Sequence, residues 1–269
     1  SIANTDYEGE ISSMGDKVHI RTTPSITIRD YEIGASLTTE KPASTPVELL
    51  IDKGKYFSFK CDDIDKYQSD IKLLDDWSGD ASEQMKISVD TSILLDIYAD
   101  SVAANQGATA GAISGDINLG TGVAPRSLAK ADVLDAIVDL GTVLDEQNIP
   151  ETGRWLVLPA KAAGLIKKSD LKDASLAGDG TSIFRNGRIG MLDRFEVYLS
   201  NNLPKDVATG TNYVALAGHP AALTFASQMT NMETLRAEST FGDIVRGLNV
   251  YGYKVIKPEA MATLVFDYA

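Results

Sequence analysis

The chain has 269 residues, 43% of them apolar, enough for one large domain or two modest ones with an ordinary core. Its 25 Lys and Arg against 38 Asp and Glu leave a formal charge of -13, which argues against broad binding to phosphate backbones, since that depends on basic side chains displacing condensed counterions. A single cysteine, Cys61, excludes an intrachain disulfide, and no apolar run approaches the ~20 residues of a membrane helix.

The N-terminus has no basic-then-apolar secretory signal, so a soluble protein made in a cytoplasm is expected. Ser1 stands where an initiator methionine would, which leaves initiator removal, processing and an omitted upstream segment open. Residues 9 to 62 read as extended. Two β-branched runs, Val18 to Arg21 and Ile26 to Tyr31, flank Thr22, Thr23, Pro24 and Ser25 in a hairpin-like arrangement. Pro42 to Pro46 form a polar break, and Asp52, Lys53 and Gly54 supply turn chemistry between "VELLI" and "KYFSFK". These first fifty residues hold too few large apolar side chains to bury themselves, so the arm is expected to lie on something else.

From about Asp63 to Ala104 the pattern turns helical. Trp77, Ala81, Met85, Val89, Ile93 and Ile97 recur every four positions, and at ~100° per residue the stripe precesses ~40° per step. Ser78 and Gly79 leave open a break near its start. Five glycines (Gly107, Gly111, Gly115, Gly120, Gly122) make residues 105 to 125 a mobile loop or hairpin and a natural boundary. Ser127 is placed to cap the next helix, whose face is Val133, Leu134, Ile137, Val138, Leu140 and Leu144. "RWLVLP" reads as a buried strand, with Pro159 opening a helix that carries Ala162, Ala163, Leu165 and Ile166.

In "RNGRIGMLDRFEVYLSNNLP", residues 185 to 204, Gly187 and Gly190 sit among Arg185, Arg188 and Arg194. A phosphate cradle wants its glycines at a helix N-terminus, whereas here Asn186 and Gly187 suit a tight turn and Phe195, Val197 and Leu199 alternate as a strand. The structural reading is therefore preferred. "YVALAG" is a further strand, "HPAALTFASQM" starts a short helix after Gly218, and the chain finishes in strands around Gly242 and Gly247, with Pro258 closing one of them.

The signal for chemistry is close to empty. His19 and His219 are the only histidines, no zinc-binding spacing is present, and neither a G-x-S-x-G elbow nor a phosphate-binding P-loop occurs. A Cys61/His19 dyad is conceivable, but a lone cysteine beside Phe59 is ordinarily a small buried hydrophobe. Asp62, Asp63, Asp65, Asp75 and Asp76 crowd a helix start, as favourable dipole partners do. Lys41, Lys53 and Lys55 read as ordinary surface groups, and no cross-linking role is assigned to them. No catalytic, cofactor-binding or metal-binding residue is assigned.

Five segments in order, "NTDYEGEISSMGDKVHIRTTPSITIRDY", "LLIDKGKYFSFKCDDIDKYQSD", "QMKISVDTSILLDIYADSVA", "GRIGMLDRFEVYLSNNLP" and "GLNVYGYKVIKPEAMATLVF", together resemble major capsid proteins of tailed phages. The resemblance implies an α+β chain with the Hong Kong 97-like capsid fold: an extended β-hairpin E-loop, a peripheral domain with a long spine helix, and an axial α/β domain. Carried over by segment, residues 1–8 end an N-terminal arm, 9–50 form the E-loop and its base, and 51–127 the peripheral domain with the spine between Asp76 and Ala104. Residues 128–228 form the axial domain, and 229–269 return to the peripheral domain. It also implies a non-enzymatic subunit that self-assembles as pentamers and hexamers around phage double-stranded DNA, faced without sequence-specific binding. Portal, scaffolding and decoration proteins are the implied partners, with no cofactor and no membrane. Three other readings stand beside it: an encapsulin-like compartment shell, a cytoplasmic α/β enzyme binding an anion through Arg185, Arg188 and Arg194, and an adhesin or decoration protein.

Overall fold

The computed structural model describes residues 2–6, 17–21, 26–34, 36–42, 46–62, 73–169, 190–205, 212–237 and 241–269. Among them, three α-helices and three sheets make a mixed α+β architecture, as expected.

The smallest sheet is β1 (Lys17–Arg21) antiparallel to β2 (Pro46–Leu50), with Val18 opposite Leu49 and Ile20 opposite Val47. The expected pairing of Val18–Arg21 with Ile26–Tyr31 does not form: residues 26–32 are extended without strand partners. The physical reason is burial. Val18 and Ile20 need an apolar floor, and β2 supplies one that continues through Ile51 onto Ala226 and Val250 of later strands. The base of the arm thus packs not on itself but on later strands of its own chain, through Ala226 and Val250, while the described residues 26–34 and 36–42 between β1 and β2 are exposed.

The second sheet has the order β3 (Lys53–Asp62), β10 (Gly242–Val255), β9 (Leu223–Arg236), antiparallel throughout. β9 replaces the short helix expected after Gly218, which is reduced to a turn in which the Ala222 amide donates to the His219 carbonyl. A ladder running from Leu223–Val255 to Arg236–Asp243 outweighs the local helical tendency of the Pro-Ala-Ala-Leu run. β2 crosses this sheet at Gly252. A Cβ there would run into the Leu50 carbonyl oxygen and lie 2.9 Å from Ile51 Cδ1, so only glycine lets the two layers meet.

Helix α1 (Leu73–Ile97) covers one face of this sheet and is unbroken at Ser78 and Gly79. It is shorter than expected, ending in a turn where the Asp100 amide donates to the Ile97 carbonyl; residues 63–72 lie outside the described set. The every-fourth stripe is buried only in its second half. Met85, Val89, Ile93 and Ile97 are buried, whereas Trp77 is exposed apart from an edge contact with the Phe59 ring.

The third sheet has six strands in the order β4 (Arg126–Leu128), β11 (Met261–Tyr268), β8 (Tyr213–Gly218), β5 (Arg154–Leu158), β7 (Phe195–Leu199), β6 (Met191–Leu192). Every residue of β5 is buried because both faces are covered. Leu156 and Leu158 join the core beneath α2 (Val133–Glu146) and α3 (Ala160–Lys168), while Trp155 and Val157 join the core shared with α1. Two expectations fail here. Ser127 lies in β4, and α2 begins only after Asp132; Val138 points to solvent while the other named apolar positions of α2 are buried or packed on the core.

The glycine-rich stretch 105–125 is an anchored hairpin, not a mobile loop. Ala110 and Ile117 exchange two backbone hydrogen bonds, and Leu119 is fully buried and accepts from the Val265 amide. Asn105 closes the stretch by donating to the carbonyls of Glu259 and Met261.

Candidate assembly surfaces

Residues 26–34 and 36–42 leave the body between β1 and β2. The Thr27 amide donates to Glu40 Oε1 at 2.8 Å, which sets the outgoing and returning limbs side by side. Along them Ile26, Ile28, Tyr31, Ile33 and Leu37 are exposed, Ile28 at 89% and Ile33 at 99%. Isolated apolar side chains on a surface are ordinary, but five on one short projection mark a surface built for contact. Lys41 is exposed on the same projection.

A second exposed apolar area lies on the face of β3–β10–β9 opposite α1. There Tyr56, Ser58, Glu233, Arg246, Gly247 and Leu248 line a cleft of about 400 Å³, and Arg246 Nη2 reaches Glu233 Oε2 at 2.8 Å across neighbouring strands. Tyr56 is 79% exposed at its rim.

The base of the projection is tied to α1 by polar contacts. Lys53 Nζ donates to Tyr253 Oη at 2.7 Å and to Asp96 Oδ2 at 2.9 Å, and the Tyr253 hydroxyl donates to the same carboxylate. The bond from Tyr253, then that from Lys53, hold the Asp96 carboxyl below its ordinary range. Burial, then the bond to Asp96, push the Tyr253 hydroxyl up to about 12. Lys55 donates to Ser88 Oγ at 2.8 Å about two turns further back. Lys53 and Lys55 are thus joints between β3 and α1, not the free surface groups expected.

Of the arginine cluster, only Arg194 falls among the described residues, and there it is not free to hold an anion. Arg185, Arg188 and Gly187 lie outside the described residues, and Arg194 is committed to carboxylates: Nη2 to Asp145 Oδ2 at 2.8 Å and Nη1 to Glu151 Oε1 at 3.2 Å. Asp193 and Arg194 both take left-handed backbone angles, φ 42° and 67°, in the two-residue turn between β6 and β7. The other oxygen of Asp145 meets Arg154, which the sequence reading missed. Its guanidinium is wholly buried, 2.7 Å from Asp145 Oδ1, and donates to the carbonyls of Pro150, Ile149 and Gly141. Burial works against the Asp145 charge, but Arg194 and Arg154 outweigh it and lower the pKa.

The Cys61/His19 dyad does not form. Cys61 is buried at the far end of β3, paired with Asp243, whereas the β1–β2 base sits near Gly252, about 30 Å away along the strand at ~3.3 Å per residue. His19 instead faces Glu48 at 3.8 Å. His219 Nδ1 accepts from the Ala221 amide, and burial, then Arg154, lower its pKa. Among the expected acids, Asp62 pairs with Lys60 at 2.5 Å; Asp63 and Asp65 lie outside the described residues. No group of ligands able to hold a metal occurs among the described residues, and no described helix is long and apolar enough to cross a membrane.

What remains is a body with sealed cores and outward apolar surfaces. Comparison with known families gives one match, to the phage capsid protein family over residues 47–264. The chain belongs to the phage capsid protein family. Among solved structures, that of Mycobacterium phage Che8 is 28% identical with TM-score 0.75, the match covering 98% of this chain and 89% of that one. The mature capsid of bacteriophage PhiM1 is 18% identical with TM-score 0.63, covering 99% and 87%. A virus-like particle from Pyrococcus furiosus is 13% identical with TM-score 0.54, covering 94% and 87%, and shares the fold alone. A search of curated proteins returned no match. The resemblance to tailed-phage major capsid proteins with the Hong Kong 97-like fold is borne out, and this phage capsid protein is a structural component of an icosahedral shell.

Proposed function

We propose that this capsid protein assembles as pentamers and hexamers into a shell enclosing phage double-stranded DNA, and that it catalyses no reaction. The observation that carries the reading is the projection formed by residues 26–34 and 36–42, whose five exposed apolar side chains are not covered by the described residues. Laid over a neighbouring copy, each loses water-exposed apolar area, and an extended segment gains the contacts that offset its ordering. Head-to-tail contacts of this kind close into rings.

In this proposal residues 9–50 are the E-loop and its base, 51–127 the peripheral region with α1 as spine, 128–228 the axial region and 229–269 the return. The grouping of α1 with β3, β9 and β10 supports the peripheral assignment; the final strand β11 lies in the axial sheet. The -13 charge keeps packaged DNA from adhering without sequence-specific contacts. Portal, scaffolding and decoration proteins complete the particle, which is made in the bacterial host cytoplasm.

Negative-stain microscopy of the purified protein, with and without assembly partners, tests the reading. Rings or shells are expected, and they should disappear when Ile28 and Ile33 are both changed to Asp while the monomer's unfolding midpoint stays put. Persistent monomers under every salt and concentration, or unimpaired shells from Ile28→Asp/Ile33→Asp, would overturn it. A shell that copurifies with an enzyme rather than DNA would favour a compartment.

A further inference from the structure

A cleft of about 350 Å³ opens where α1, the six-stranded sheet and the start of β9 meet. Its wall is completed by the N-terminal residues, because Asn4 bridges to Thr224, its amide donating to the Leu223 carbonyl at 2.8 Å while its carbonyl accepts from Phe225 at 3.0 Å. Ile2, Ile93, Leu94, Val157, Leu223 and Phe225 give it an apolar lining. The volume falls in the range of small-molecule sites, which pair such linings with a few oriented polar groups.

One charged group faces this space, Asp90 of α1. Its side chain is solvent-exposed at the cleft mouth, where partial burial raises its pKa and no cation is paired with it among the described residues. The neighbouring Tyr198 hydroxyl is engaged by Glu196, which adds negative charge to the same rim. A carboxylate beside an apolar slot, with no positive partner, is complementary to one chemistry: an ammonium carried on an alkyl chain.

We propose that the cleft binds an aliphatic primary amine, with its chain against Ile93, Leu94 and Phe225 and its ammonium on the Asp90 carboxylate. A bound amine touches the N-terminal residues, the helix and both larger sheets, so it staples the place where α1 meets them. The residues lining the cleft are distinct from those of the projecting segment.

Isothermal titration of the full chain with octylamine, butylamine, octanol and octanoate tests this. Saturable binding of octylamine is expected, tightening by about fourfold for each methylene that enters the cleft on going from butylamine. Asp90→Asn, at the cleft mouth and outside the core, should weaken octylamine about fivefold or more while leaving the unfolding midpoint of the free protein unchanged or slightly raised. Ser200→Phe, which fills the cleft without touching Asp90, should abolish binding. No saturable binding of octylamine, equal affinity in wild type and Asp90→Asn, or octanoate binding as well as octylamine would each overturn the proposal.

Discussion

Asp145→Asn is the sharpest test of how α2 and the six-stranded sheet are held together. The Arg154 guanidinium has no exposure, and its other partners are the neutral carbonyls of Pro150, Ile149 and Gly141, so among the described residues Asp145 is its only anion, at 2.7 Å. Removing one member of a buried ion pair costs ~3–5 kcal/mol, because the remaining charge stays out of water uncompensated. Asp145 itself is 38% exposed, so solvent already screens part of the attraction and a loss of about 2 kcal/mol is the better expectation. In a chain of this size that corresponds to a fall of roughly 4–8 °C in Tm. The control is Arg194→Ala, which breaks the more exposed arm of the same carboxylate and should cost under ~1 kcal/mol. Urea unfolding of the unassembled subunit, with the slope of the transition unchanged, reads both numbers. If the two variants lose the same amount, Arg154 is not relying on Asp145 and the reasoning fails.

The joint at the base of the projection should respond to acid. The Asp96 pKa is depressed in the fold, so its contribution is complete above the ordinary carboxylate value near 4 and is lost as pH falls through the lower folded value. Tyr253→Phe removes the largest cause of that depression and should flatten stability against pH between about 2 and 4, measured by urea midpoints at each pH. Glycine packing gives a ranking: Gly252→Ala, which drives a methyl into the Leu50 backbone, should cost at least ~1–3 kcal/mol. Gly247→Ala meets only the Phe57 ring, at 2.5 Å, and should cost less because a side chain can turn aside; equal urea midpoints would contradict this.

What could be read from the residues depended on how local the deciding interaction is. "RWLVL" is legible as a buried strand because both faces are covered, and that leaves an unbroken apolar run. The every-fourth stripe of α1 is legible for the same reason, although its solvent-facing first half is not, since Trp77 reads the same whether or not a neighbour covers it. The partner of β1 was hidden because β2 lies beyond an intervening segment that carries its own β-branched alternation. β9 was hidden because its neighbours pair from a distant strand while Pro220 to Leu223 locally favour a helix. The polar joints had no sequence signal: Lys53, Asp96 and Tyr253 are brought together across 200 residues, and Arg154 looks like the charged edge of a strand until the fold closes over it. The exposed apolar run at Ile26 to Leu37 was legible as residues in need of a cover, although it was first read as part of a hairpin.

The strand order also dictates when the subunit can exist. β3 pairs with β10 and β4 pairs with β11, so each larger sheet joins an early segment to residues 242–268. Neither can close while the ribosome still holds that stretch, so both larger sheets are completed only once the last strands have emerged, and a chain cut short before residue 242 has neither.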